Sequence, residues 1–216
     1  LKKTVWELGG SNPYIILEDE DLQISVNSCN ISRLINAGQS CIAAKRFIVV
    51  ESVLEEFQSL LIKNMKNIIM GNPFNENTDI GPMARIDLRD ELHQQVIKSL
   101  KLGAKLLLGR QYSDGKGAFY PPTILTDVKP GMPAFDEELF GPVSAIISAK
   151  NEKEAIQLAN NSVFGLGAAV FTKDIAHGEK IATEKLEAGS CFVNDFVTQI
   201  HVYHLAVLNK VARAAD

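Results

Sequence analysis

Residues 47–71, "FIVVESVLEEFQSLLIKNMKNIIMG", decide the fold. The stretch opens on a short apolar and β-branched run, Phe47-Ile48-Val49-Val50, which reads as a buried strand. Ser52, followed three residues later by Glu55, reads as a capping box that starts a helix, and Gly71 ends it. The unit is a strand followed by a helix, and it recurs along the chain. Residues 85–102 place Leu88, Leu92, Val96 and Leu100 on one helical face, Gly103 stops them, and Lys105-Leu106-Leu107-Leu108 follows as a strand. A Pro/Gly-rich segment over 120–142 carries an extended Thr123-Ile124-Leu125 and then an irregular loop, after which 143–148 reads as a strand. Asn151 with Glu154 caps a further helix. Residues 166–171 read as a strand, 175–186 as a helix and 191–193 as a last strand. Upstream, 19–36 reads as a helix, with acidic residues at its start, Leu22, Val26, Cys29 and Leu34 on one stripe, and Gly38 as its stop. Strands that alternate with helices, and that are apolar runs rather than strict alternations, argue for an α/β layer with a largely parallel sheet and helices on both faces.

The composition sets the outer limits. A chain of 216 residues is long enough to bury a real core. With 46% hydrophobic residues, and 22 basic against 26 acidic side chains for a net charge of −4, it reads as a globular protein that does not bind nucleic acid. No apolar run is long enough for a membrane span, and Leu1-Lys2-Lys3-Thr4-Val5-Trp6-Glu7 lacks the apolar core of a signal peptide, so the expected compartment is the cytoplasm. Cys29, Cys41 and Cys191 are odd in number and never paired as CxxC, which supports neither a disulfide framework nor a zinc site. His201 and His204 have no acidic or cysteine partner nearby in sequence, so no metal is expected.

Three features carry candidate chemistry. Cys41 lies in a turn between a helix and a strand, where a side chain and its own backbone N–H can face one cleft. As a nucleophile it would need thiolate character and donors for an oxyanion, and Lys45 and Arg46 are close enough in sequence to favour the thiolate. The other reading of Cys41 is a small buried hydrophobe. Trp6-Glu7-Leu8-Gly9-Gly10 sets an acid among apolar neighbours, where desolvation raises a carboxyl toward the range of a general base, or else it is a surface acid before a flexible turn. Asp136-Glu137-Glu138-Leu139-Phe140-Gly141-Pro142 is either a loop that holds sugar hydroxyls with a carboxylate and packs a ring on a ligand, or a solvated acidic turn. Gly165-Leu166-Gly167 lacks the third glycine of a nucleotide loop and leads into a strand.

Taken together, Trp6-Glu7-Leu8-Gly9-Gly10, Gly38-Gln39-Ser40-Cys41 and Glu137-Glu138-Leu139-Phe140-Gly141-Pro142 resemble the NAD(P)-dependent aldehyde dehydrogenase superfamily. Gly71-Asn72-Pro73 and Ile80-Gly81-Pro82-Met83 lie in register between them, and the likeness runs to about Phe196. Gly38-Gln39-Ser40-Cys41-Ile42-Ala43-Ala44-Lys45-Arg46-Phe47 and Cys191-Phe192-Val193-Asn194-Asp195 are most similar to the bacterial succinate-semialdehyde dehydrogenases. The resemblance implies that Cys41 adds to an aldehyde carbonyl, that its backbone N–H and a side-chain amide hold the oxyanion, and that hydride leaves to nicotinamide to give a thioester. It implies that Glu7 activates the hydrolytic water, that Glu138 holds the nicotinamide ribose with Phe140 beside the nicotinamide, and that Leu8 meets the cofactor through its backbone. The implied cofactor is NAD or NADP, the substrate a small aldehyde, and the state a homo-oligomer joined through the catalytic domain. The implied fold is the family's catalytic domain, with most of the dinucleotide-binding domain absent: a linker carrying Glu7 over 1–12, the catalytic domain over 13–197 and an atypical tail over 198–216. Cysteine-dependent acyl transfer without nicotinamide is the other enzymatic reading, and a self-associating, non-enzymatic remnant the third.

The tail departs from the family's pattern. After Asn194-Asp195-Phe196-Val197 the family continues into a proline-containing turn and a Pro-Phe-Gly-Gly loop. This chain instead reads Thr198-Gln199-Ile200-His201-Val202-Tyr203-His204. Permitted codons for 200–211, read one base earlier, can give Pro-Arg-Leu-Pro-Phe-Gly-Gly-Val-Lys-Gln-Ser, and the hypothesis is that the tail is frameshifted. Sequencing the gene checks it: the expected codons yield that string in the shifted frame, and codons that cannot yield it end the idea.

Overall fold

The computed structural model describes residues 9–109 and 117–198. In chain order these form β1 (Asn12–Ile16), α1 (Leu22–Leu34), β2 (Ala44–Val50), α2 (Leu54–Lys66), α3 (Ile86–Lys101), β3 (Lys105–Leu108), β4 (Thr123–Thr126), α4 (Pro133–Asp136), β5 (Val143–Ala149), α5 (Glu152–Asn160), β6 (Gly167–Phe171), α6 (Ile175–Glu184) and β7 (Ser190–Val193). The strands make one seven-stranded sheet in the order β3-β4-β5-β2-β1-β6-β7. Every pairing is parallel except β3 with β4.

The central strands are buried on both faces, which explains why they read as apolar runs. Tyr14, Ile16, Phe47 and Val49 face α1 and α2 and pack with Val26, Cys29, Phe57 and Leu61. Ile15, Ile48, Ala145 and Val170 belong to the opposite core, with Leu92 and Val96 of α3, Phe135 of α4, Ala155 of α5 and Ile181 of α6. The expected two-sided α/β layer is the fold.

Several local expectations are corrected. β1, to which the sequence reading assigns no strand, is an interior strand of the sheet despite Pro13; the register with β2 shifts between Asn12 and Pro13, so the missing N–H falls at an irregularity of the ladder. The Ser52–Glu55 box does not form. Val50 is the last extended residue, Glu51–Val53 is a 3-10 turn, and α2 begins without a side-chain cap, so the Ser52 hydroxyl is not at the capping position. Around α1 the acids divide their work. Asp21 caps Gln23 N at 3.0 Å, whereas Asp19 accepts from Thr172 Oγ1 at 2.7 Å and Lys173 N at 2.9 Å, tying the end of β1 to the end of β6. The Asn151 cap does form, on Glu154 N at 3.0 Å.

Part of the expected irregular loop is α4, opened by Pro133. Its Phe135 ring lies 5.2 Å from the Arg46 guanidinium, which is buried in β2. Arg46 donates to Leu158 O and Ala159 O at 3.0 Å each, capping the carbonyl end of α5, and to Ser11 O at 3.1 Å. Among the described residues no helix is long and apolar enough to cross a membrane.

Arg46→Ala takes this donor from two buried carbonyls and one part-buried one, and is expected to lower the unfolding free energy by about 3 kcal/mol, read as the midpoint shift in urea. Arg46→Lys is expected to recover only part of this loss, because an ammonium cannot fork across two helix carbonyls.

Candidate active site

α1 delivers the chain to Cys41 through a tight turn. Asn36, Ala37 and Gly38 have φ of 49°, 53° and 78°, three successive residues in the left-handed region. The turn is held from both sides. Arg33 Nη2 donates to Gly38 O, and Asn36 Nδ2 donates to Gln39 O at 3.1 Å. Gln39 Oε1 accepts from Ala84 N at 2.9 Å, anchoring the turn to the segment before α3. A Cβ on Gly38 would stand 2.2 Å from Gly141 O, so the turn before Cys41 and the turn after Phe140 touch backbone to backbone.

Gly9 and Gly10 come to the same place. A Cβ on Gly10 would lie 2.6 Å from Cys41 O, and one on Gly9 would lie 2.3 Å from Glu138 Oε2. Gly10 N donates to Glu138 Oε1 at 3.2 Å. Asn12, at the start of β1, donates from Nδ2 to Cys41 O at 3.0 Å and Ala43 O at 3.3 Å, while its Oδ1 accepts from Gly167 N at 3.1 Å. Its amide is thus committed to holding the turn to β1 and β6.

Lys45 closes the arrangement. Its side chain is 1% exposed, and Nζ reaches Glu138 Oε1 at 3.0 Å, Ser40 O at 3.0 Å and Cys41 O at 3.3 Å. Nζ also lies 5.9 Å from the centre of the Phe140 ring. Burial, then the nearby Arg33 charge, push Lys45 down to about 8, against the pull of Glu138. Arg46, one residue on, points to the other face of the sheet, as the two-residue period of a strand requires. Of the two basic residues considered beside Cys41, only Lys45 faces it.

The three cysteines are unlike. Cys29 is fully buried and its thiol is pushed well above the ordinary range, and burial pushes Cys191 up to about 11. Cys41 is half-buried at the loop edge. Cys41 and Glu138 therefore meet around Gly9 and Gly10, and Lys45 joins them to the Phe140 ring. Glu7 and Leu8 lie outside the described residues. Sequence reasoning missed Asn12, Arg33 and the Gly38–Gly141 contact; the Asn12-Pro13 pair gives a turn signal rather than a strand one. These residues stand at the amino ends of β1, β2 and β5. A cavity of about 370 Å³, lined by Leu17, Val50, Lys150, Glu152, Thr172 and His177, opens instead at the carboxyl ends of the strands.

A parallel α/β layer with a cysteine turn and a carboxylate loop pressed together has close counterparts among solved structures. Lactaldehyde dehydrogenase from Escherichia coli superposes with a TM-score of 0.90 at 33% identity, covering 94% of this chain and 43% of that one. Betaine aldehyde dehydrogenase from Staphylococcus aureus in complex with NAD+ superposes with a TM-score of 0.85 at 36% identity, covering 90% and 39%. The aldehyde dehydrogenase family profile matches residues 1–205, and the chain belongs to that family. Among curated relatives, the succinate semialdehyde dehydrogenase [NAD(P)+] Sad of Escherichia coli is 48% identical over 196 residues, 91% of this chain and 42% of the relative. The succinate-semialdehyde dehydrogenase [NADP(+)] of Deinococcus radiodurans is 43% identical over 194 residues, 90% and 40%. The chain spans about two fifths of the length of these relatives.

Asn12→Asp turns a carboxylate oxygen toward the Cys41 and Ala43 carbonyls and is expected to cost about 2 kcal/mol at pH 7 in urea denaturation. The folded state disfavours the charged form of the new carboxyl and so raises its pKa. The loss is therefore full above that raised pKa and shrinks as pH falls through it, because protonation restores a donor.

Proposed function

We propose that this chain carries the nucleophile and the ribose-holding carboxylate of an NAD(P)-dependent oxidation of succinate semialdehyde to the acid. The observation that carries the proposal is the convergence of Cys41, Glu138 and the Gly9-Gly10 backbone on one another, with contacts too close for any Cβ. The names of the succinate-semialdehyde dehydrogenases among its relatives support the substrate.

The residues fit a ribose. Glu138 gives Oε1 to Gly10 N and Lys45, and the lone pairs of Oε2, beside Gly9, are the acceptors offered to a ribose hydroxyl. Phe140 is 39% exposed beside it, a ring face for the nicotinamide. NAD(P), when bound, supplies the hydride acceptor that converts the Cys41 thiohemiacetal to a thioester.

Cys41 Sγ attacks the aldehyde carbon as thiolate, forming the C–S bond while the carbonyl oxygen takes the electron pair. The Cys41 N–H is one donor to that oxygen. In the second half, Glu7 takes a proton from water as the water oxygen bonds to the thioester carbonyl, and the C–S bond breaks to release the acid and the thiolate. The enzyme so described works in the cytoplasm as a homo-oligomer, with Ile24 and Ile31 of α1 exposed as apolar surface.

Iodoacetamide is expected to label Cys41 at least about tenfold faster than Cys29 or Cys191, followed by peptide mass spectrometry. Equal rates at the three positions would remove Cys41 as the nucleophile. NAD(P)H formation from succinate semialdehyde, by enzyme that contains this segment, is expected to fall at least about 1,000-fold in Cys41→Ala.

A further inference from the structure

We propose that Lys45 is a positioning residue for the reaction: its ammonium holds the Ser40 carbonyl, so that the Cys41 backbone N–H is aimed at the oxygen of the reacting carbonyl, and it ties this peptide to Glu138. The proposal rests on Cys41 being the nucleophile, as argued above.

A trans peptide is planar, with its C=O and N–H on opposite sides. The Ser40 carbonyl is 3.0 Å from Lys45 Nζ, so the N–H of the same peptide, which belongs to Cys41, points away from Lys45. The next peptide has a second holder, because Cys41 O accepts from Asn12 Nδ2 at 3.0 Å as well as from Lys45 Nζ at 3.3 Å. Both planes that flank the Cys41 Cα are therefore pinned, and with them the direction of the Cα–Cβ bond. An ammonium on the Ser40 carbonyl also polarises that peptide, which strengthens its N–H as a donor.

The position of Lys45 excludes a solvated role. It stands in β2 with its side chain 1% exposed, and Nζ also lies 3.4 Å from Ala43 O. A buried ammonium persists only where its three protons have acceptors, and here three loop carbonyls and one carboxylate surround them. The charged and titratable groups that face it are Arg33 from α1, Glu138 from the loop before β5 and Cys41 from its own turn, with the Phe140 ring alongside. Burial and Arg33 bring Lys45 to about 8, so the ion discharges in a range where enzymes are readily assayed. As it discharges, a neutral amine replaces a charge-assisted donor and the grip on Ser40 loosens.

The test uses the whole 216-residue chain, p-nitrophenyl acetate and iodoacetamide. Stopped-flow release of nitrophenolate reads acylation, which needs the oxyanion donor, and alkylation reads only the thiolate. Acylation is divided by the thiolate fraction taken from the alkylation pH profile. In Lys45→Met this quotient is expected to fall at least about tenfold, while the limiting alkylation rate at high pH changes by less than about threefold. In the native chain the quotient declines as pH rises through about 8. Glu138→Gln keeps the lysine and removes the carboxylate that favours its charge, so this decline is expected to move down by about one pH unit. A folded Lys45→Met chain with a native quotient overturns the proposal. So does a decline that stays in place in Glu138→Gln, which decides the matter if Lys45→Met does not fold. Native acylation in Cys41→Ala sinks the nucleophile assignment itself, a result separate from either.

Discussion

No atom larger than hydrogen fits between the turn that precedes Cys41 and the turn that follows Phe140. The Cβ position of Gly38 stands 2.2 Å from Gly141 O, and the same exclusion holds for Gly10 against Cys41 O. Contact between bare backbones brings three distant segments closer than side chains would allow, and the site depends on that closeness. The cost is conformational, since Asn36 and Ala37 also sit in the left-handed region, at roughly 1–2 kcal/mol each. The Arg33 and Asn36 hydrogen bonds across the turn offset it.

Three cations lie buried within fourteen positions of one another, and the sheet separates them. Arg46 goes to the α5 face, where three carbonyls and the Phe135 ring satisfy it. Among the described residues, Arg33 and Lys45 share the other side with one carboxylate, Glu138. Burial lowers all three, Arg33 to about 9, Lys45 to about 8 and Arg46 to about 10. Arg33 Nε and Nη1 are buried with no partner among the described residues. Among the described residues two cations face one carboxylate beside Cys41, a balance whose sign suits an oxygen gathering negative charge.

Open parallel sheets ordinarily bind ligands beyond the carboxyl ends of their strands. Here Gly10, Cys41 and Glu138 precede β1, β2 and β5, at the amino ends. The cavity at the carboxyl ends is lined by other residues, with Asp19 there engaged by Thr172 and Lys173 N. The candidate site follows the glycine-rich entries to the strands, because those are the segments that can approach one another without side chains between them.

The alternation of strand and helix, the apolar runs of β2, β5 and β6, the stripe of α3 and the Asn151 cap all follow from spacing between near neighbours, so the sequence by itself determined the α/β class. The motifs around Cys41 and Glu138 were legible for the same reason, each being contiguous. β1 was hidden by Pro13, whose missing donor is tolerated only because the β2 register slips beside it. α2 starts after Ser52 rather than from it, since a 3-10 turn follows β2 directly. Only the tertiary structure decided that Gly10 meets Glu138 across 128 positions, that Asn12 holds the Cys41 turn, and that Lys45 and Arg46 part to opposite faces. Such pairings are set by strand order and loop packing, which no local pattern encodes, because each partner alone is an ordinary residue and gains its role from what the fold sets beside it.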